Sequence, residues 1–489
     1  MALISRLLLL YTSCLTLVSA ITLNSFPSKP RVFVLSDISN EPDDSESLVR
    51  YLTYSNQFQT EGLVATTSTW LKNETDPDAM LDIIHAYEKV VDNLNHHAPA
   101  DSQYPSAEHM RSLVRAGSPV YGMAALAPNA TFSAGAELLL DRIQATTNSN
   151  SPLWVLAWGG TNVLAQALVK LHKDNSPEKA ANLRKNLRIY TISDQDDTGA
   201  WLRQQWPDLF WINSIHGWNQ YGMSTWVGIS GDEFYDVDKG GPNSTLVSKA
   251  WLKENIQIGT LGAAYPDVAY TMEGDTPTFL YLIQNGLGVS EHPEYGSWGG
   301  RYQLVTSNQH GPGFRHYSDV QDQVVGLNGN TFKSNKATIW RWRDAYQHDF
   351  AARMRWTLTD DVTKANHHPL VKVNGSSGLE PVNVYGVAGS EVVVDAGESV
   401  DPDGDELTFN WIYYPEPSTI NGTPDVNVTT FGSRGESARL PVPIIDRTCE
   451  AGIEHCDLFH FILEVKDSGS PPLTTYRRIL LHVAKSDAK

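Results

Sequence analysis

The stretch DISNEPDD, Asp37 to Asp44, crowds four acidic residues into eight positions: Asp37, Glu41, Asp43 and Asp44. It follows an apolar run, RVFVL, and leads into a helical pattern from Pro42 to Tyr54. A helix start accounts for part of this. Pro42 suits the first helical position, and Asp43 or Asp44 complements the positive helix end. Asp37 is not explained that way, because it stands at the strand end, before the helix begins. The four carboxylates repel one another unless a cation or protons intervene. Hard oxygen ligands in such a cluster suit Ca2+.

Other segments carry chemistry with a plainer alternative beside it. SDQDDTG (Ser193 to Gly199) brings Asp194, Asp196 and Asp197 after another strand. It reads either as acidic capping of the next helix or as a second carboxylate group for acid catalysis or hydroxyl binding. INSIHGWNQYGM (Ile212 to Met223) is dense in Asn, His, Trp and Tyr. In HPEYGSWGGRYQ (His292 to Gln303), Trp298 is either a sugar-stacking platform or the packing residue of a tight turn. Trp158 reads as a core residue or as a pocket floor. DPDGDELTFNW (Asp401 to Trp411) alternates acids with turn residues. It reads either as a Ca2+ loop or as a turn between strands; no helix follows it and the twelfth-position Glu is missing, so the EF-hand pattern fails and turn chemistry favours the turn. No phosphate loop, zinc spacing or nucleophile elbow is present.

The elements that must position these residues alternate along the first two thirds of the chain. RVFVLS, GLVATTSTW, PLWVLAW, NLRIYTIS and LFWIN read as strands. Between and after them lie helical patterns: Pro42 to Tyr54, TDPDAMLDIIHAYEKVVDNL, TNVLAQALVKLH, TGAWLRQQW, TPTFLYLIQNGL and a long helix from Ala337 to Leu358. This order predicts an α/β fold, an open, mostly parallel sheet with helices on both faces. Its ligands belong beyond the carboxyl ends of the strands, where DISNEPDD lies. Near Asn366 the texture turns to Gly, Ser, Pro and Asn. Short alternating strands then predict a small all-β sandwich with Trp411 in its core. The expected divisions are a signal peptide at 1–20, an α/β domain at 21–365 and a β-sandwich at 366–489.

The first twenty residues, a basic Arg6, an apolar stretch and a small-residue end at Ala20, predict a secretory signal peptide and an extracellular protein. Cys449 and Cys456 remain after its removal and are expected to form a local disulfide. Six Asn-X-Ser/Thr sites, at Asn73, Asn129, Asn243, Asn374, Asn421 and Asn427, predict glycosylation. The net charge of −19 argues against nucleic acid or an anionic membrane as partner, and nothing after the leader is apolar enough to span a bilayer. Fourteen Trp and twenty Tyr serve either large cores or stacking on sugar rings.

DISNEPDD resembles the Asp-X-Asp-Pro-Gly-X-Asp-Asp loop of nucleoside hydrolases, with Asp37 at the first acid and Asp43 and Asp44 at the closing pair. Ser39 replaces the second Asp and Glu41 the Gly. LAWGGTNVLAQAL resembles the family's Gly-Pro-Leu-Thr-Asn segment, and EGDTPTFLYLI its His-Asp-Pro helix. With SDQDDTGAWLR, GSWGGRY and DFAARMRW added, the mature chain resembles a secreted, cellulose-binding protein-like family with a nucleoside hydrolase-like first domain and an immunoglobulin-like second one.

The resemblance implies a Ca2+ ion held by Asp37, Asp44, Asp275 and the Thr161 carbonyl. Asp37 would be the catalytic base toward a metal-bound water, and Asp43 would bind a sugar hydroxyl. Asn162, Asn213, His216, Trp218 and Trp298 would contact substrate. Gly274 stands where the family has a His that helps the leaving group depart. Another acid is then needed, from His216, His292, His310 or the Asp194, Asp196 and Asp197 group. Two functions follow: a Ca2+-dependent glycosidase acting on a nucleoside or a cell-wall sugar, or a non-catalytic protein that binds cellulose or another cell-wall glycan.

Overall fold

The computed structural model describes residues 22–146, 151–231, 236–305, 315–418, 426–444 and 458–484. The expected signal peptide, His310, Asn421 and the pair Cys449 and Cys456 lie outside these residues, as does the side chain of Trp218. Among the described residues no helix is long and apolar enough to cross a membrane.

Eight strands form the first sheet: β1 (Arg31–Ser36), β2 (Gln59–Ala65), β3 (Val114–Ala116), β4 (Leu153–Ala157), β5 (Leu187–Thr191), β6 (Phe210–Asn213), β7 (Tyr302–Val305) and β8 (His316–Asp319). Their order is β3-β2-β1-β4-β5-β6-β8-β7, parallel except for the edge strand β7. Every residue of β1 is buried. The two-residue period of a strand explains how. Val32 and Val34 enter one core with Leu48, Leu52 and Trp154, while Phe33 and Leu35 enter the other with Val155, Leu164 and Leu168. β1 pairs with both β2 and β4, so the strand order reverses there. The crevice at such a reversal is where an open α/β sheet receives its ligand.

Three expected helices are shorter than the pattern predicts. The second breaks into Pro77–Glu88 and Val91–His96, and the long one into Ala337–Trp340 and Arg343–Trp356. The segment after Asp275 is helical only over Pro277–Leu280. Apolar periodicity continues through each break because an apolar residue of the turn, Val90, Trp342 or Tyr281, is buried with the helices.

A hairpin of β9 (Asp322–Val325) and β10 (Thr331–Ser334) precedes the second domain. That domain is a sandwich of β11 (Val382–Val387), β12 (Glu391–Asp395), β13 (Thr408–Tyr414), β14 (Thr429–Phe431), β15 (Ser437–Pro441), β16 (Leu458–Lys466) and β17 (Thr474–Ala484). One sheet runs β11-β17-β16-β13, the other β12-β15-β14. Trp411 packs in the core between them, its indole N–H donating to the Gly435 carbonyl at 3.0 Å. β11 lies in a stretch that the composition assigns to the linker.

The outer face of the larger sheet docks on the first domain. Tyr414, Ile462 and Tyr476 belong to the first domain's core. The buried Arg478 guanidinium donates to the carbonyls of Leu287, Tyr295 and Gly296 at 2.8, 3.1 and 3.0 Å. Gly286 has φ +86, and a Cβ there would stand 2.0 Å from the Tyr476 carbonyl oxygen. Gly286→Ala is therefore expected to cost about 2–4 kcal/mol, combining left-handed strain with overpacking against backbone. Urea denaturation of the two proteins checks this; equal midpoints would show that the docking does not depend on that contact.

Candidate active site and metal centre

The loops after β1 and β4 flank the crevice. Trp158 N–H donates to the Leu35 carbonyl at 2.7 Å, bringing Gly159 against Asp37. A Cβ on Gly159 would lie 2.7 Å from Asp37 Oδ1, so only glycine leaves that carboxylate its place. Helix Pro42–Tyr54 starts at this edge and carries Asp43 and Asp44 in its first turn, where Glu41 makes no side-chain cap. Asp275 arrives from the far side, just before Pro277–Leu280.

Asp43, Asp44 and Asp275 each offer a carboxylate oxygen within 4.8 Å of the others. Asp44 and Asp275 are 3 % exposed, and Asp275 Oδ2 is buried without a hydrogen-bond partner. Asp44 accepts from the Ser36 hydroxyl. No basic side chain forms an ion pair with the three among the described residues. Burial pushes the carboxyl of Asp43 up to about 8, with Glu41 and then Asp37 adding repulsion. Burial also raises Asp37 to about 6, opposed by a hydrogen bond from Ser68. Asp44 and Asp275 stand well above the usual carboxylate range, through burial first; Asp37 and then Asp43 add repulsion at Asp44, and Asp44 and then Asp43 at Asp275. Buried, mutually repelling oxygens with one orphan fit a hard divalent cation. The trio differs from the expected ligand set: Asp43 joins it, and Asp37 lies beside it on the same cavity.

That cavity holds about 210 Å3. Its floor includes Trp158, fully buried, with its indole N–H on Thr278 Oγ1 at 2.8 Å. Trp70, Tyr221, Trp226 and Tyr270 line the rest. Trp70 and Tyr270 are 52 % and 60 % exposed at the mouth. Tyr221 packs edge-on against both Trp70 and Trp226. Sequence reasoning missed these four. Trp70 ends a strand-like segment at the ligand edge, and Tyr221 lies within the aromatic segment Ile212 to Met223; those were the available signals.

Several expected contacts belong elsewhere. Asn162 is fully buried, its amide bonded to Thr66, Thr67 and the carbonyl of Val120. Asn213 is fully buried and donates to Asp194 at 3.1 Å. His216 pairs with Asp319 at 2.8 Å. Trp298 is 1 % exposed, between Tyr346 and Tyr476, and packs the turn rather than stacking on a sugar. Thr161 gives its N–H and hydroxyl to Asp196, and its carbonyl accepts from Ala165 N–H at 2.9 Å. None of these five lines the cavity.

The second acidic group is structural. Asp196 accepts from the N–H groups of Thr161, Asn162 and Thr198, so it caps two helices. Asp194 makes two hydrogen bonds to Arg203, at 2.8 and 2.6 Å, and Asp197 accepts from Met123 N–H. Gln195 alone of that loop reaches the cavity, where it donates to the Trp158 carbonyl.

Gly274 also lines the cavity, and a Cβ there would stand 2.7 Å from Asp43 Oδ2 and 3.5 Å from Trp226. Trp226 and Asp43 thus close the space around position 274. Ser39, at the place of the family's second Asp, has φ +82 and bonds Asp76. Among the described residues no histidine lines the cavity.

Residues 31–302 match the family model described as Cellulose-binding Sde182, nucleoside hydrolase-like domain. Residues 391–483 match Cellulose-binding protein Sde0182, C-terminal domain. Among curated proteins none matches. A solved nucleoside hydrolase-related protein from Saccharophagus degradans, described as associated with carbohydrate metabolism, is 29 % identical. It aligns over 93 % of this chain and 100 % of its own with a TM-score of 0.75. The effector protein XOO4466 (13 % identity, 68 % and 95 % of the two chains, TM-score 0.33) and human CDH23 EC21-23 (16 %, 24 % and 35 %, 0.17) are too distant to argue from. The crevice at the strand reversal, the acids at its edge and the docked sandwich thus carry one signature: the chain belongs to the cellulose-binding Sde182 family, with its nucleoside hydrolase-like domain and its C-terminal β domain.

Proposed function

We propose that the chain is a secreted, Ca2+-dependent glycosidase acting on a carbohydrate of the cell-wall type. The observation that carries this reading is the trio of half-buried Asp43 with buried Asp44 and Asp275, beneath an aromatic mouth. The trio would hold the ion, which when bound polarises oxygen ligands and lowers the pKa of water. Asp37 is positioned on the same cavity to take a proton as general base, and its raised pKa suits that task near neutral pH. Glu41, raised by burial, is the proton donor we assign to the leaving group in place of the absent histidine. Trp70 and Tyr270, both more than half exposed at the mouth, are placed to meet a sugar there. The family's name and the carbohydrate association of the Saccharophagus degradans protein favour a sugar over a nucleoside.

A second reading is a glycan-binding protein without chemistry. Ser39 turned to Asp76 and glycine at 274 favour it.

The test is calcium calorimetry on chelator-treated protein and on Asp44→Ala, followed by hydrolysis assays on cell-wall oligosaccharides and nucleosides. The glycosidase reading expects one calcium equivalent lost in Asp44→Ala, with hydrolysis falling at least 100-fold in Asp37→Asn. Calcium-dependent oligosaccharide binding with no hydrolysis would establish the second reading. No calcium loss in Asp44→Ala would overturn the metal centre.

A further inference from the structure

A second group of acids lies in the other domain, on the loop between β12 and β13. Asp401, Asp403 and Asp405 each offer a carboxylate oxygen within 4.8 Å of the others. Asp401 Oδ1 accepts from the N–H groups of Asp403 and Asp405 at 2.8 and 3.1 Å, which curls the loop around it. Asp401 Oδ2 is buried and has no partner.

The observation that points to a ligand comes from a different strand. Asp467 follows β16 and is 3 % exposed. Its Oδ1 accepts three hydrogen bonds, from Asn366 Nδ2, Gly469 N–H and Leu473 N–H, at 3.0, 2.9 and 3.0 Å. Its Oδ2, like that of Asp401, is buried with no partner. The two loops are clamped together. Ser468 Oγ donates to Asp405 at 3.2 Å and accepts from Glu406 N–H at 3.1 Å. Asp467 is close enough to Asp401 to repel its charge. Among the described residues the only ion pair to these four acids is His367 with Asp403, at 3.0 Å. Two buried carboxylate oxygens without a partner, on loops that Ser468 ties together, with two further acids at the rim, need a cation or protons.

We propose that Asp401, Asp403, Asp405 and Asp467 form a second Ca2+ site, separate from the cavity of the first domain. Calcium takes six to eight oxygens in flexible geometry, and water completes the set on the exposed Asp403 side. The site lies at the junction between the domains. Asn366, bonded to Asp467, and His367, bonded to Asp403, are the residues through which the chain enters the sandwich. His367 also contacts His97 of the first domain at 3.0 Å and stacks on Trp356. A cation here braces the sandwich loops against the residues that anchor the junction.

The experiment uses the full chain after chelator treatment, in the Asp44→Ala background, so that the cavity does not contribute. Calcium calorimetry should give one equivalent per chain, and adding Asp467→Asn should remove it. The amide keeps an acceptor for the three N–H donors, so the loop is expected to fold; circular dichroism checks this. If that variant does not fold, Asp405→Asn, at the half-buried rim, carries the same test. No calcium bound by Asp44→Ala, or a titration unchanged by Asp467→Asn or Asp405→Asn, overturns the site. If instead the wild type binds a single equivalent that Asp467→Asn abolishes, the junction site stands and the cavity reading is the one that fails.

Discussion

Replacing Arg50 by alanine is expected to cost about 3–5 kcal/mol of folding stability, the usual penalty for leaving a buried charge without its partner. It should also remove calcium binding from the cavity. Arg50 shares helix Pro42–Tyr54 with Asp43 and Asp44. Its Nη1 lies 2.6 Å from Glu273 Oε2, and neither side chain is exposed at all. The same guanidinium donates to Gln347 and to the Tyr346 carbonyl. Glu273 holds a left-handed backbone, φ +50, and its N–H donates to Glu46, also on that helix, at 2.8 Å. Two residues later comes Asp275. The ion pair thus fixes the distance between the acids of the helix and the acid of the distant loop. Without Arg50 the buried Glu273 carboxylate keeps the Tyr265 hydroxyl but no ion-pair partner, and the turn that aims Asp275 loses its anchor. Arg50→Lys should recover little, since a single ammonium cannot reproduce the forked contacts. Urea denaturation and calcium calorimetry check both effects. A loss under about 1 kcal/mol, as for an exposed pair, with normal calcium binding would sink the argument.

Calcium should stabilise the protein far more at pH 8 than at pH 5. Burial raises Asp37 from 3.8 to about 6 and Asp43 from 3.8 to about 8. For a carboxyl whose folded pKa is raised, the stability it contributes is complete below its unfolded pKa. That stability is lost as pH rises through the folded value. Chelated protein should therefore weaken steadily from about pH 4 to pH 8, by about 3 kcal/mol through Asp37 alone at 1.36 kcal/mol per pKa unit. A cation at the trio replaces the protons and removes that penalty. Its affinity should rise about tenfold or more between pH 5 and pH 7, with protons released on binding. Thermal unfolding with and without calcium across this range checks the prediction. Chelated protein whose midpoint is flat from pH 5 to pH 8 would mean that these acids do not share protons in the folded state.

How far the sequence carries the reading depends on how local the cause is. Strand–helix alternation revealed the parallel sheet, because a two-residue period and a 3.6-residue period are both written in the order of side chains. The acids at the end of β1 marked the ligand edge, because a helix cap cannot use Asp37. Gly159 and Gly274 were visible as glycines, but their reason is a carboxylate from another segment, 2.7 Å away in each case. Breaks in the helices near Lys89 and Arg341 escaped notice because the buried Val90 and Trp342 carry the apolar pattern through them.

By itself, then, the sequence determined the two-domain plan, the carboxylate edge and the family resemblance, each resting on neighbours in the chain. Tertiary structure alone decided which carboxylates meet. It joined Asp43 to Asp44 and Asp275, and assigned Asp194, Asp196 and Asp197 to helix ends and Arg203. It buried Trp298, Asn162 and Asn213, and surrounded the cavity with Trp70, Tyr221, Trp226 and Tyr270. It also set Asp467 beside the loop of Asp401, 66 residues away in the chain. The physical reason is common to all of these. Composition and spacing carry the propensity of a segment, but the partner that satisfies or strands a polar group comes from elsewhere in the chain. Only the packed fold chooses that partner.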